Sequence, residues 1–168
     1  MLKTIADAIF ISQVRYGLPL YCPLRLNQHD PNPIILMHLK KVYNDCLRLL
    51  TNKTWEDHAS IKEMLEELNW SSINQLCGET RLLEAWKRVH LEGYCMEDIL
   101  SLKQKSQYMT RSSEMPVLEQ GEINKFSNGR FLNMTAKIWN QCPKEIKEEK
   151  KFERAKILIK EYCKTLPI

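Results

Sequence analysis

The sequence predicts a mainly α protein, an irregular bundle of five to seven helices with one long loop. Three observations carry that expectation. Only five glycines occur in 168 residues, which leaves few tight strand turns and few phosphate-cradling loops. Apolar side chains recur at three- and four-residue spacing in several separate segments. Helix start and stop signals punctuate those segments at the right places.

The first helix is expected over LKTIADAIFISQVRYG, apolar on more than one face: Leu2, Ile5 and Ile9 on one, Ala6, Phe10 and Val14 on another. A helix of that kind is buried or belongs to something larger. Gly17 reads as its C-cap, with Pro19 just beyond. Pro19 to Pro33 holds four prolines and reads as a loop.

The second helix is expected from Pro33 to about Leu50, since proline suits a first helical turn. Its inward stripe is Ile35, Leu39, Val42, Cys46 and Leu49 or Leu50; Lys41, Asn44 and Arg48 share the opposite face. Ser60 and Glu63 have the spacing of a capping box at the start of a short acidic helix. In NWSSINQ, Ser71 or Ser72 can cap the next helix. Its inward residues are Ile73, Leu76, Cys77, Thr80, Leu83 and Val89, widened by Leu82 and Trp86, and it stops near Gly93. A short helix around Met96 to Leu102 follows.

From Lys103 to Asn128 periodicity disappears and a long surface loop is expected, with an extended piece near Met115 to Leu118. FLNMTAKIWN resumes a helix with Phe131, Met134, Ile138 and Trp139 inward. The last helix carries Phe152, Ala155, Ile159, Tyr162, Cys163 and Leu166 on one stripe. Pro143 is expected to set its first turn. In WNQCP, Trp139 reads as a core anchor and Asn140 as a left-handed or carbonyl-capping residue.

The formal charge of +4 permits an acidic partner without requiring one. Between Met37 and Lys53 stand four basic side chains (Lys40, Lys41, Arg48, Lys53) against Asp45 alone. Such a face could meet a phosphate backbone or simply solvent. The six cysteines lack the Cys-x-x-Cys pairs of zinc sites and read as reduced, mostly buried thiols of an intracellular protein, in nucleus or cytoplasm. No apolar stretch is long enough for a bilayer. No nucleotide-binding glycine pattern is present, and the four histidines share no ligand spacing. A triad from His58, Cys95 and Asp98 has no local support. The acid pairs Glu56–Asp57 and Glu97–Asp98 read as helix-start charges. No catalytic residue, metal ligand or cofactor is expected. Trp86 and Trp139 belong to apolar periodicity; Trp55 and Trp70 are open as base-stacking rings.

The order VRYGLPLYCP, KVYNDCLRLLT, LNWSSINQ, MTRSS and KIWNQCPKEIK, ending near FERAKILIKEYCKTLPI, resembles the C-terminal region of LINE-type (non-LTR) retrotransposon reverse transcriptases, jockey-like and related clades. The family's blocks are "YG…W", a basic "N…R…L" helix, a "W.S…Q" helix start and "WN.LP..I", and the resemblance spans nearly the whole chain. Each block is short, so its specificity comes from order and spacing. The Tyr21–Cys22 region stands where the family has tryptophan, and Cys142 stands for leucine, which implies a small apolar contact there and not a reactive thiol. The palm's Phe/Tyr-Ala-Asp-Asp, the fingers, the endonuclease and the Cys/His knuckle of some relatives are absent.

The resemblance implies the end of the thumb over residues 1–55, starting at a methionine within it, and a post-thumb helical region over 56–168. It implies an RNA-directed DNA polymerase as parent and no catalysis by this piece. Lys40, Lys41, Arg48 and Lys53 would be the positions left to touch a template–primer duplex through phosphates. The missing palm and fingers would be its other partners. A helical protein-interaction module without nucleic-acid binding is the alternative.

Overall fold

The computed structural model describes residues 2–21, 24–28, 34–91, 93, 117–118 and 131–168. The chain is mainly α, and no strand occurs among the described residues. Three segments follow one another without a break: α1 (Leu2–Ala6), a π-helical turn (Asp7–Ile11) and α2 (Ser12–Tyr21). Then come α3 (Ile34–Thr51), α4 (Ile61–Leu68), α5 (Ile73–His90), α6 (Phe131–Gln141), α7 (Lys144–Glu148) and α8 (Phe152–Cys163). With the first three segments taken as one rod, that makes seven helices among the described residues, within the expected range. The expected helix at 96–102 and nearly all of the expected loop at 103–128 lie outside the described residues.

The chain divides into two compact units, Met1–Cys77 with Leu166–Ile168, and Gly78–Thr165, so that it passes from one to the other within α5. Within the first unit, α3 packs against α4.

In the first unit, the N-terminal rod does not stop at Gly17. The helix continues through Pro19 to Tyr21. Proline at this position gives up one backbone hydrogen bond and crowds the carbonyl four residues earlier, a cost the remaining turns of the rod carry. The wide turn before it changes which residues face inward. Ser12 Oγ donates to the carbonyls of Ala8 and Ile9 at 2.6 and 3.0 Å, the back-bonding that accompanies local helix distortion. Ile11 and Val14 are buried, whereas Ile5, Ile9 and Tyr16 are exposed.

The α3 stripe is also turned from expectation. Tyr43 and Leu47 are buried, while Val42 and Leu49 face outward. Apolar residues surround most of this helix, so periodicity does not choose a side; the tyrosine does. Its hydroxyl donates to the Ser71 carbonyl at 2.6 Å. Its ring lies 6.0 Å from Phe10 and 5.8 Å from Trp70. Trp70 in turn donates its indole N–H to Asp7 Oδ1 at 2.6 Å. That aromatic run ties the rod, α3 and the α4–α5 linker together.

The caps follow the sequence. Ser60 Oγ accepts from Glu63 N and Glu63 Oε2 from Ser60 N, a complete capping box on α4. Ser72 and Gln75 repeat the reciprocal pattern at the start of α5, with 2.8 and 3.2 Å bonds. Asn74, fully buried, uses its side-chain amide on three backbone groups. It accepts from Arg25 N at 2.8 Å and donates to the carbonyls of Arg25 and Pro167 at 2.8 and 3.0 Å.

The second unit is built on two buried tryptophans. Trp139 on α6 has no exposed surface. Trp86 on α5 stacks near His90 and Phe152 and donates its indole N–H to the Glu149 carbonyl at 2.8 Å. Arg81 is buried with its guanidinium 5.9 Å from the Phe131 ring. Met134, Ile138, Ala155, Ile159 and Cys163 are buried as expected, as is Leu166 of the first unit, whereas Phe152, expected inward at the start of α8, is exposed.

The corner KIWNQCPKEIK departs from expectation in two ways. Asn140 stays helical, and its amide clamps the backbone of Leu118, accepting from its N–H at 3.1 Å and donating to its C=O at 3.0 Å. Pro143 caps the separate short helix α7 instead of opening the last one. Glu149 to Lys151 is extended between them. The chain is held open there by the Trp86–Glu149 bond and by the Glu149 carboxylate accepting from Lys151 N.

Cys142 is buried, and burial pushes its thiol up to about 12. At pH 8 the reactive thiolate would then be about one part in ten thousand. A native-state thiol reagent should label Cys142 only as fast as the protein opens, and rapidly in urea; rapid native labelling would contradict the burial. His90 approaches the Lys147 carbonyl through Nε2 at 3.0 Å, and burial lowers its pKa. The unfolded chain therefore takes up its proton first on acidification. Stability from neutral His90 is present above about pH 6.5 and lost as pH falls through the window below it. Urea midpoints at pH 5 and 8 should differ in that direction, and His90→Gln should flatten the difference.

Candidate nucleic-acid interface

The four basic residues singled out by the sequence do not form one cluster. Lys41 is exposed on α3. Lys40, half-buried one residue before it, donates to the Ile168 carbonyl at 3.1 Å. It lines a small cavity of about 170 Å³ with Tyr43, Leu65 and Ile73. Arg48, seven residues after Lys41, falls on the same side of the helix. Lys53 lies just past the helix end.

Arg48 and Lys53 belong to a tightly built turn. Asn52 ends α3 in the left-handed region (φ 53°), and Lys53 N donates to the Arg48 carbonyl at 3.0 Å. Arg48 Nη1 donates to the Thr54 carbonyl at 2.9 Å, and its guanidinium lies 4.0 Å from the centre of the Trp55 ring. Asp57 Oδ2 accepts from both the N–H and the hydroxyl of Thr54. The Thr54 N–H bond is the chief reason the Asp57 carboxyl titrates below its ordinary range. Glu56–Asp57 is thus no helix-start pair; Asp57 closes the turn that carries Trp55. Lys53 Nζ pairs with Glu67 at 2.7 Å, both side chains part-exposed. Together the last turn of α3 and this loop surround a shallow hollow of about 430 Å³ lined by Asp45, Arg48, Leu49, Lys53 and Trp55, among others.

Trp55 is 67% exposed, whereas Trp70 is half-buried against Tyr43. The two rings left open by the sequence are therefore different in kind. Sequence reasoning found the basic residues and missed the Arg48–Trp55 contact. No periodic signal joins a helix residue to one seven positions later across a left-handed turn.

Other candidates have ordinary roles. His38 and His58 are exposed, and His58 sits at φ 47° in the same loop. Cys95 and Asp98 lie outside the described residues, as do Glu97 and His29. Among the described residues no three His, Cys, Asp or Glu side chains gather as metal ligands. Cys46, Cys77, Cys142 and Cys163 are free thiols. No helix among the described residues is long and apolar enough to cross a membrane. No known family model, curated protein or solved structure matches the chain.

Proposed function

We propose that this chain is a non-catalytic helical portion of a non-LTR retrotransposon reverse transcriptase, from the end of the thumb and the region after it. In this reading it touches template–primer nucleic acid weakly, through phosphates and without sequence preference. The order of the sequence blocks supports the family. The observation that carries the contact is the placement of Lys41 and Arg48 on one face of α3, with Lys53 beyond its end. Lys40 contributes its charge beside the Ile168 carbonyl. Catalysis would stay with the parent polymerase, whose palm carboxylates this sequence lacks; the palm and fingers would be its partners. Weak binding follows from the small number of cations and from Asp45 and Glu67 among them.

A second reading, a helical protein-interaction module, is favoured by the exposed Ile5, Ile9 and Tyr16 on the N-terminal rod. Heparin retention measured beside a sizing column separates the two. Salt-sensitive retention of a monomer supports nucleic-acid contact; self-association without retention supports the module.

A further inference from the structure

We propose that Trp55 is a stacking platform for one unpaired base of a single-stranded nucleic acid, with the adjoining phosphate taken by Lys53. This rests on the phosphate-directed reading above and adds to it the form of the strand. Of the four tryptophans, Trp86 and Trp139 are buried, and Trp70 is held by Tyr43 and Asp7. Trp55 alone combines a wide exposure, 67%, with a fixed mount.

One face of its indole is covered by the Arg48 guanidinium at 4.0 Å. Exposure of that size then falls on the opposite face and the ring edge. The ring is also held in place before any ligand arrives. Arg48 Nη1 holds the Thr54 carbonyl and Asp57 holds the Thr54 N–H, on the residue immediately before the tryptophan. A pre-positioned ring loses little freedom on binding. Any base offers a π-face, so stacking of this kind is tolerant of sequence, as phosphate contacts are.

The shallow hollow of about 430 Å³ lies beside the ring on the Arg48 side, and it leaves room there for the sugar and phosphate next to a base stacked on the outer face. Lys53 stands on its rim, and its ion pair with Glu67 is part-exposed, hence weak enough to yield to a phosphate. Asp45, also on the rim, disfavours phosphate on its own side and leaves Lys53 as the backbone contact. A duplex has its bases already stacked on one another and presents no free face to Trp55. Single strands, or the unpaired end of a template, are the substrates this geometry suits.

The test is binding of the full chain, at low and at high salt, to a 12-residue deoxythymidine oligonucleotide and to an abasic strand of equal length. Wild type should prefer the thymidine strand. Trp55→Ala should lose roughly five- to hundredfold in affinity for it, and nothing for the abasic strand. Trp55→Phe should restore most of the loss, and Lys53→Gln should weaken both strands alike. Because Trp55 is exposed, these variants should unfold at nearly the wild-type urea midpoint. Equal binding of both strands by wild type and Trp55→Ala, still salt-dependent, overturns the stacking proposal and leaves the phosphate reading standing. Absence of salt-dependent binding to either strand overturns both.

Discussion

Trp139→Ala should lower the unfolding free energy by about 3–5 kcal/mol, because a fully buried indole is replaced by a methyl group and the surrounding core cannot fully collapse. Domains of this size are stable by only about 5–15 kcal/mol. One substitution on α6 would thus remove a fifth of the stability or more. The loss has two parts: the transfer free energy of the ring, and the cavity left among side chains that hold fixed rotamers. Trp55→Ala provides the contrast within the same molecule. Its ring is exposed and its contact with Arg48 is worth about 0.5–1 kcal/mol. Urea unfolding followed by far-ultraviolet circular dichroism reads both variants. Similar midpoints for the two would contradict the burial assigned to Trp139.

Asn74→Ala should cost about 2–4 kcal/mol although it deletes little apolar surface. The wild-type amide meets the N–H and C=O of Arg25 and the C=O of Pro167, from a position with no exposure of its own. Alanine leaves those three backbone groups without this partner in a part-buried setting. A buried polar group left unsatisfied costs about 1–3 kcal/mol, less where water reaches it. Asn74→Asp sharpens the point. It keeps the acceptor for Arg25 N, loses the two donations and places a carboxylate beside two carbonyl oxygens. It should be at least as damaging as alanine at neutral pH. A neutral effect of both variants would mean that the segment around Arg25 is held by something else.

Asn74 also shows where the sequence was legible and where it was not. Local signals read well. Ser60 and Glu63 announce their capping box by spacing alone, and Ser72 caps α5 as expected. Trp86, Trp139 and the inward residues of α8 follow from period and hydrophobicity. Groups that act across the chain read poorly. No local pattern marks Asn74, and Asn140 reads in sequence as a helix-end residue, yet each supplies hydrogen bonds to the backbone of a distant segment. The side of α3 that faces inward was equally hidden. Its apolar residues go round the helix, and only the hydrogen bond from Tyr43 to Ser71 and the stacking on Phe10 and Trp70 select one side.

The candidate interface was half legible. Lys40, Lys41, Arg48 and Lys53 stand out as a basic run, and Trp55 as an unassigned aromatic. Their relation depends on two residues in left-handed conformations that are not glycine, Asn52 and His58. Nothing in periodicity marks a turn of that kind. The same turn explains why the four cations are not equivalent. Lys40 lies beside the Ile168 carbonyl, Arg48 is committed to Thr54 and Trp55, Lys53 is paired with Glu67, and Lys41 is the exposed one. Phosphates would therefore compete with existing contacts at three positions, which limits affinity.

The central claim, weak contact with nucleic acid through phosphates along α3, is tested most directly by a salt titration of duplex binding. Affinity for a short primer–template duplex would be followed between about 50 and 200 mM salt, for wild type and for the variant carrying Lys41→Gln and Arg48→Gln. Two to four phosphate contacts predict a log–log slope of about −2 to −4 for wild type, reduced by about 2 in the variant. An affinity unchanged from low to high salt, or a slope the double substitution leaves untouched, would contradict the claim.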